Sequence, residues 1–271
     1  MTAGEWAGDI DTSRPSTARM YDYFLGGSHH FAADRAAAEQ VISALPRVRE
    51  MAVANRAFLR RAVRYLADQG ITQFLDIGSG IPTAGNVHDT APSAQVAYVD
   101  MDPVAVAHAV ALLRDHPAAI AIRADLQQPA TILGHPGVRA VLDLSRPVGL
   151  LLVSMLHFVP DDTGYPAVAR LREALAPGSY LAVSHAATEA TWNTGTKVAD
   201  VYRTSDAAAA LSRTREQIRD FFGDWELTPT GLVWAGQWPD PAACDDPAPE
   251  AISILAGTAR KPGGASAQVE P

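Results

Sequence analysis

Cysteine occurs once in this chain, at Cys244, which excludes an intrachain disulfide framework and a cysteine-built zinc site and fits a reducing compartment. Lysine is almost as scarce, with only Lys197 and Lys261, while arginine and alanine are plentiful. Codon usage explains that bias as well as function does. No stretch approaches the roughly 18 consecutive apolar residues of a membrane span. The N-terminus, MTAGEWAGDIDTSRPS, has neither a basic start nor an apolar core. A cytoplasmic, soluble protein is expected. The histidines stand singly apart from His29 and His30, with no H-E-x-x-H spacing, so no metal is expected. Positive charge is also short: the net charge of -8 opposes a nucleic-acid partner held through phosphates. Arg60, Arg61 and Arg64, the one basic cluster, fall on a predicted helix and read as its solvated face.

What is present suffices for one sizeable core: 271 residues, 48% of them hydrophobic. Residues 1–15 and 262–271 read as mobile ends. Residues 36–68 read as helical, clearest where Leu59, Ala62, Val63 and Leu66 recur at i, i+3, i+4 and i+7, with Pro46 dividing the segment and Gly70 stopping it. After Gly70, strands alternate with helices: QFLDI, QVAYVD, AIAIRAD, VGLLLVSML and SYLAVSHA as strands, with helical pieces between them, one of them TAGNVHDTA. Such alternation predicts βαβ units and a doubly wound parallel α/β sheet covered on both faces. A helical insertion is expected near residues 187–222, then two extended pieces around Trp225–Leu227 and Ile252–Ala259.

The first strand-to-helix turn is the usual floor of a ligand site in such a sheet. Here it reads FLDIGSGIPTAGN, with Asp76, Gly78, Ser79 and Gly80 in sequence. Two glycines permit close backbone approach, with helix N-terminal amides expected behind them. Asp100 ends the second strand, 24 residues after Asp76, where a carboxylate can accept from both ribose hydroxyls. Met101 and Asp102 follow, Asp102 being better suited to cap the helix that Pro103 opens than to touch a ligand. Asp125 ends the third strand within Ala124, Asp125 and Leu126, placed to accept from an adenine amino group while the Leu126 amide donates to the ring. The dinucleotide fingerprint G-x-G-x-x-G fails at its third position, Thr83, which Pro82 precedes. A phosphate-free adenosine ligand with an amino-acid part, S-adenosylmethionine, fits instead.

The motifs D-I-G-S-G, Y-V-D-M-D-P, A-D-L and the L-x-P-G of Leu175, Pro177 and Gly178 resemble those of class I S-adenosylmethionine-dependent methyltransferases. The stretches PSTARMYDYFLGG, FAADRAAAEQ, ANRAFLRRAVRYL, QFLDIGSGIPT, GNVHD, YVDMDP, LHFVPDD and GTARKP resemble, more narrowly, the actinobacterial S-adenosyl methyltransferase family formerly called DUF574. The resemblance spans about Pro15 to Lys261. It implies a seven-stranded Rossmann-like methyltransferase sheet over residues 71–261, an N-terminal helical extension over 16–70, and S-adenosyl-L-homocysteine as product. The chain departs from the family pattern at Ser28, His29 and His30, and at Met101, where asparagine is frequent.

Methyl transfer from a sulfonium needs alignment and, for some acceptors, removal of a proton. The residues after strand four, Ser154, Met155, Leu156, His157 and Phe158, together with His185, are candidates for the acceptor wall. His157 is the candidate general base, because an imidazole titrates near neutrality; a structural histidine is the competing reading. Tyr21, Tyr23, Gly26 and Gly27 compose a candidate lid over the cofactor, or else pack the extension onto the sheet. Arg56 is placed to meet a carboxylate or to pair on the surface. Three functions remain at this stage: a methyltransferase acting on a small molecule, a catalytically silent sensor or scaffold binding S-adenosylmethionine or S-adenosylhomocysteine, and a nicotinamide-dependent oxidoreductase, which Pro82 and Thr83 disfavour. The acceptor atom stays open, as does a homodimer.

Overall fold

Apolar runs such as GLLLV bury both faces of every residue pair, and only a sheet covered on both sides accommodates them. The computed structural model describes residues 11–82, 85–189, 195–207 and 210–263. Thr83 lies outside these residues, as do most of the ends read as mobile. The strands are β1 (Gln73–Ile77), β2 (Gln95–Asp100), β3 (Ala119–Arg123), β4 (Gly149–Val153), β5 (Tyr180–Ala186), β6 (Glu226–Leu227), β7 (Val233–Trp234) and β8 (Ile254–Arg260). They form one sheet in the order β3-β2-β1-β4-β5-β8-β6, with β7 pairing β8 beside that path. β1 to β5 are parallel and β8 runs antiparallel to β5, β6 and β7. The seven-stranded path thus carries an eighth, two-residue strand.

Three helices precede the sheet: α1 (Thr17–Phe24), α2 (Ala32–Ala44) and α3 (Val48–Asp68). The break around Pro46 falls where the proline requires it. Leu59, Ala62, Val63 and Leu66 bury the stripe of α3 against Phe74, Val96, Tyr98 and Leu151 on one sheet face. The opposite face, with Leu75, Ile77, Val99, Leu150 and Val183, is covered by α6 (Pro129–Gly134), α7 (Pro136–Val141), α8 (Asp161–Ala174) and α10 (Arg215–Asp220). The remaining helices are α4 (Val87–Thr90), α5 (Pro103–Leu112) and α9 (Gly195–Tyr202).

Three details differ from the sequence reading. α4 is a single turn that begins at Val87, so among the described residues no helix N-terminus stands directly behind Gly78 and Gly80. Among its described residues, the segment read as helical around 187–222 holds only α9 and α10. Between them the backbone bonds elsewhere: Asp206 to Pro15, Leu211 to His157, Arg213 to Ala186 and Thr188 to Arg213. Arg61 is not a solvated side chain, since its Nε and Nη2 donate to the carbonyls of Trp238 and Ala235 at 2.5 and 2.7 Å.

Candidate active site

Order reverses between β1 and β4, because β2 and β3 lie to one side of β1 while β4 and β5 lie to the other. A crevice opens there beyond the carboxyl ends of the strands. It is lined by Asp76, Gly78, Ser79 and Gly80 after β1, Asp100 and Met101 after β2, Ala124, Asp125 and Leu126 after β3, and Ser154 and Met155 after β4. Tyr21 from α1 and Arg56 from α3 close it from above.

Gly78 and Gly80 adopt φ of 70° and 65°, which side chains resist. Gly78 is doubly constrained, because a Cβ there would stand 2.7 Å from the Met155 side chain. The turn is fixed by the Gly78 amide donating to the Val99 carbonyl at 2.8 Å and by the Gly80 amide donating to Asp100 Oδ2 at 2.7 Å. Asp100 Oδ1 accepts from the Asp102 amide at 2.8 Å.

Asp76 and Asp100 are both buried. Burial pushes Asp76 up to about 7, with Arg56 opposing the rise and Asp100 adding to it. Burial likewise pushes Asp100 up to about 6, although the amides of Asp102 and Gly80 oppose it. Arg56 is buried too; its Nη2 donates to the Ile81 carbonyl at 3.3 Å, and its Nε has no hydrogen-bond partner among the described residues. The Asp76 carboxylate accepts no hydrogen bond among the described residues, and the two oxygens of Asp100 each accept one amide and have lone pairs to spare. These groups and a guanidinium short of an acceptor are complementary to a zwitterionic amino-acid group and a ribose. The chemistry of the donor set thus fits S-adenosylmethionine. Asp125 lies at the rim, its Oδ1 accepting from the Gln127 amide at 2.9 Å.

Four expected site residues stand elsewhere. Asp102 caps α5, accepting from the amides of Val104 and Ala105, and its Oδ2 lies 3.7 Å from Arg19. Tyr23 faces outward, with its hydroxyl on Glu39 and Arg49 over its ring. Gly26, at φ of 79°, follows the end of α1. Gly27 packs so closely on the Asp22 carboxylate that a Cβ would stand 2.0 Å from Oδ1. Asp102 thus starts a helix beside the sheet, while Tyr23, Gly26 and Gly27 belong to the packing of the extension.

Sequence reasoning missed Asn55 and Asp206, both at the crevice. Asn55 Nδ2 donates to the Tyr21 hydroxyl at 2.8 Å, and Ser184 on β5 donates to Asn55 Oδ1 at 2.5 Å. The Tyr21 hydroxyl in turn donates to the Ala52 carbonyl at 3.1 Å. The available signal was a polar residue four positions before Leu59, on the apolar stripe of α3, where an amide must find partners. Asp206 Oδ1 accepts from the Thr17 amide at 2.8 Å, capping α1 from across the chain. Asp34 Oδ1 holds the Ser16 amide at 2.9 Å and its carboxylate pairs with Arg19 at 3.0 Å. Helix α1 is therefore fastened over the crevice at its N-terminal end.

A second cavity adjoins the first, and Thr17, Tyr21, Ser154 and Phe158 line both. Ser154 sits at φ of 57°, a left-handed conformation retained at this junction. His157 lines the second cavity rather than the first. Burial, and then the Arg213 guanidinium, push His157 down to about 3, which removes the near-neutral basicity expected of it. His185, expected at the acceptor wall, lines neither cavity and is fully buried beneath. Its Nδ1 donates to the Ala186 carbonyl at 2.7 Å and its Nε2 accepts from Arg213 Nη1 at 2.5 Å. Arg213 also donates to the carbonyls of Leu156 and Val159 at 2.9 and 2.8 Å and pairs with Asp161 at 2.6 Å. One arginine thus sets the course of the loop after β4.

The profile of a family described as S-adenosyl methyltransferase matches residues 4–262. A crystal structure from Thermobifida fusca YX, presented there as a candidate methyltransferase, shares 40% identity and a TM-score of 0.87 over 93% of this chain and 97% of that one. A DUF574 family protein from Streptomyces avermitilis MA-4680 shares 37% identity and a TM-score of 0.86 over 93% of this chain and 99% of that one. No curated protein sequence matches the chain. The crevice, its two buried carboxylates and these relationships agree: the chain belongs to the S-adenosyl methyltransferase family that includes the DUF574 proteins, and it is an S-adenosylmethionine-dependent methyltransferase.

Proposed function

We propose that the enzyme methylates a small molecule bound in the second cavity. The observation that carries this reading is the shared wall: Tyr21 and Ser154 face the cofactor crevice on one side and the second cavity on the other. A net charge of -8 supports a small acceptor over a nucleic acid. S-adenosylmethionine, when bound, supplies an electrophilic methyl carbon on a sulfonium. Arg56 would receive the carboxylate of its methionine part, Asp76 the ammonium, Asp100 the ribose hydroxyls, and Asp125 with the Leu126 amide the adenine. Gly78 and Gly80 let the backbone approach it, while α1, fastened by Asp206 and Asp34, excludes water above. Positioning then supplies most of the rate.

One observation favours a second reading, a catalytically silent sensor: no group of near-neutral basicity lines the second cavity among the described residues. Calorimetry with S-adenosylmethionine and S-adenosylhomocysteine, followed by turnover of an acceptor panel, separates the two. Binding with transfer supports the enzyme acting on a small molecule. Binding without transfer to any member supports the sensor, and a folded protein that binds neither compound removes both.

A further inference from the structure

The second cavity is built from α1, α2, α3, α9, the loop after β4, the ends of β5 and β8 and residues 210–212, and its walls are chiefly aliphatic and aromatic. Among the described lining residues none is a carboxylate, an ammonium or a guanidinium. Its polar groups are the hydroxyls of Thr17, Tyr21, Ser154, Tyr202 and Ser212, and the imidazole of His157. Burial raises Tyr21 and Tyr202 above the ordinary tyrosine value, so both stay protonated at neutral pH. His157 is uncharged for the reasons already given, and its Nδ1 is buried with no hydrogen-bond partner.

We infer that this cavity accepts an uncharged aromatic amine and presents its nitrogen to the methyl donor. The inference rests on the methyltransferase reading and narrows its acceptor by elimination. Among the described wall residues a carboxylate or phenolate would be desolvated facing no cation, leaving only the donor's sulfonium to offset its charge, and an aliphatic ammonium would be desolvated facing no carboxylate. An alcohol would need a proton removed by a base that the walls do not provide. An aromatic amine is neutral at physiological pH yet keeps a nucleophilic lone pair, and the hydroxyls of Thr17, Ser154 and Ser212 on the cavity wall are acceptors for its N–H. In the step, the nitrogen lone pair forms the N–C bond as the S–C bond breaks and leaves its electron pair on a neutral thioether. The N-methylarylammonium so formed is acidic enough to release its proton to water.

Three probes of one shape test the inference: naphthylamine, which is neutral, naphthoate, an anion, and naphthylmethylammonium, a cation. Each is titrated calorimetrically into the full chain, with and without saturating S-adenosylhomocysteine. Naphthylamine should bind at least about tenfold more tightly than either charged probe, roughly 1.4 kcal/mol at room temperature. A charged probe that binds as tightly, or no probe binding to protein that binds S-adenosylhomocysteine, overturns the inference. Failure to bind S-adenosylhomocysteine would instead undo the methyltransferase reading, and the ranking without it still decides the cavity. Leu211 lines only the second cavity, at its partly exposed rim. Leu211→Glu should strengthen the cationic probe about tenfold and leave S-adenosylhomocysteine affinity unchanged; a ranking indifferent to this variant places the probes elsewhere and likewise overturns the inference.

Discussion

The Gly80 amide donates to Oδ2 of Asp100 across 2.7 Å, so the turn after β1 and the end of β2 move as one unit. Asp100→Ala removes this tie together with the carboxylate proposed to hold the ribose. Each hydrogen bond to a charged acceptor contributes about 1.5–3 kcal/mol, so S-adenosylhomocysteine affinity should fall at least about tenfold by calorimetry. Unchanged affinity would place the ribose elsewhere.

Affinity should depend on pH. Asp76 and Asp100 stand near about 7 and about 6 in the free protein. A bound ammonium and ribose hydroxyls favour the ionised forms and lower both values. Binding then releases protons, so affinity rises as pH climbs through about 6 and about 7 and levels off above both. Calorimetry in buffers of different ionisation enthalpy reads the released protons directly. A flat affinity across this window contradicts the proposed roles.

Asp76→Asn should trade cofactor affinity for stability of the free protein. The folded Asp76 stands near about 7 against an ordinary value of 3.8. Its contribution to stability is therefore fully present below the unfolded value and is lost as pH rises through about 7. Asparagine keeps the shape without the charge. The variant should melt several degrees higher above neutrality, on the order of 1–2 kcal/mol, and close to the parent near pH 4, while binding S-adenosylhomocysteine more weakly. A variant that melts lower at alkaline pH would show that the Asp76 charge is already compensated.

His157→Gln tests the role of the imidazole once an acceptor is in hand. Because His157 is pushed down to about 3, it stays neutral across the working range. The pH profile of kcat should therefore keep its form between about pH 5 and 9 in the variant, with at most a modest fall in rate from lost positioning. Disappearance of a limb near neutrality would make His157 the base after all.

Much of this arrangement is legible in the sequence because it is local. The carboxyl end of a parallel strand is set by the strand itself, so Asp76, Asp100 and Asp125 could be placed at the crevice from pattern alone. Pro46 and the stripe from Leu59 to Leu66 divide and orient α2 and α3 for equally local reasons. What escaped depends on pairs far apart in the chain. Asp206 capping α1 joins residues separated by 189 positions, and Ser184 meeting Asn55 joins residues separated by 129. The basicity of His157, left open between a base and a structural role, is not legible for a related reason. Residue type gives the solution value, whereas burial and Arg213, a residue distant in sequence, determine the actual one. The intended lid divided similarly: Tyr21 reaches the crevice because Asn55 holds it, and Tyr23, two residues on, turns out toward Glu39.

Strand β8, formed by residues 254–260, lies inside the sheet, where it pairs with β5, β6 and β7. During synthesis these three strands leave the ribosome before their common partner exists. The unfinished chain therefore exposes the edge of β5 until β8 emerges, and an open edge of this kind is a template for association with other chains. A product stopped before Ile254 would lack the strand that pairs β6 and β7 with the sheet among the described residues, making the emergence of β8 a checkpoint on assembly.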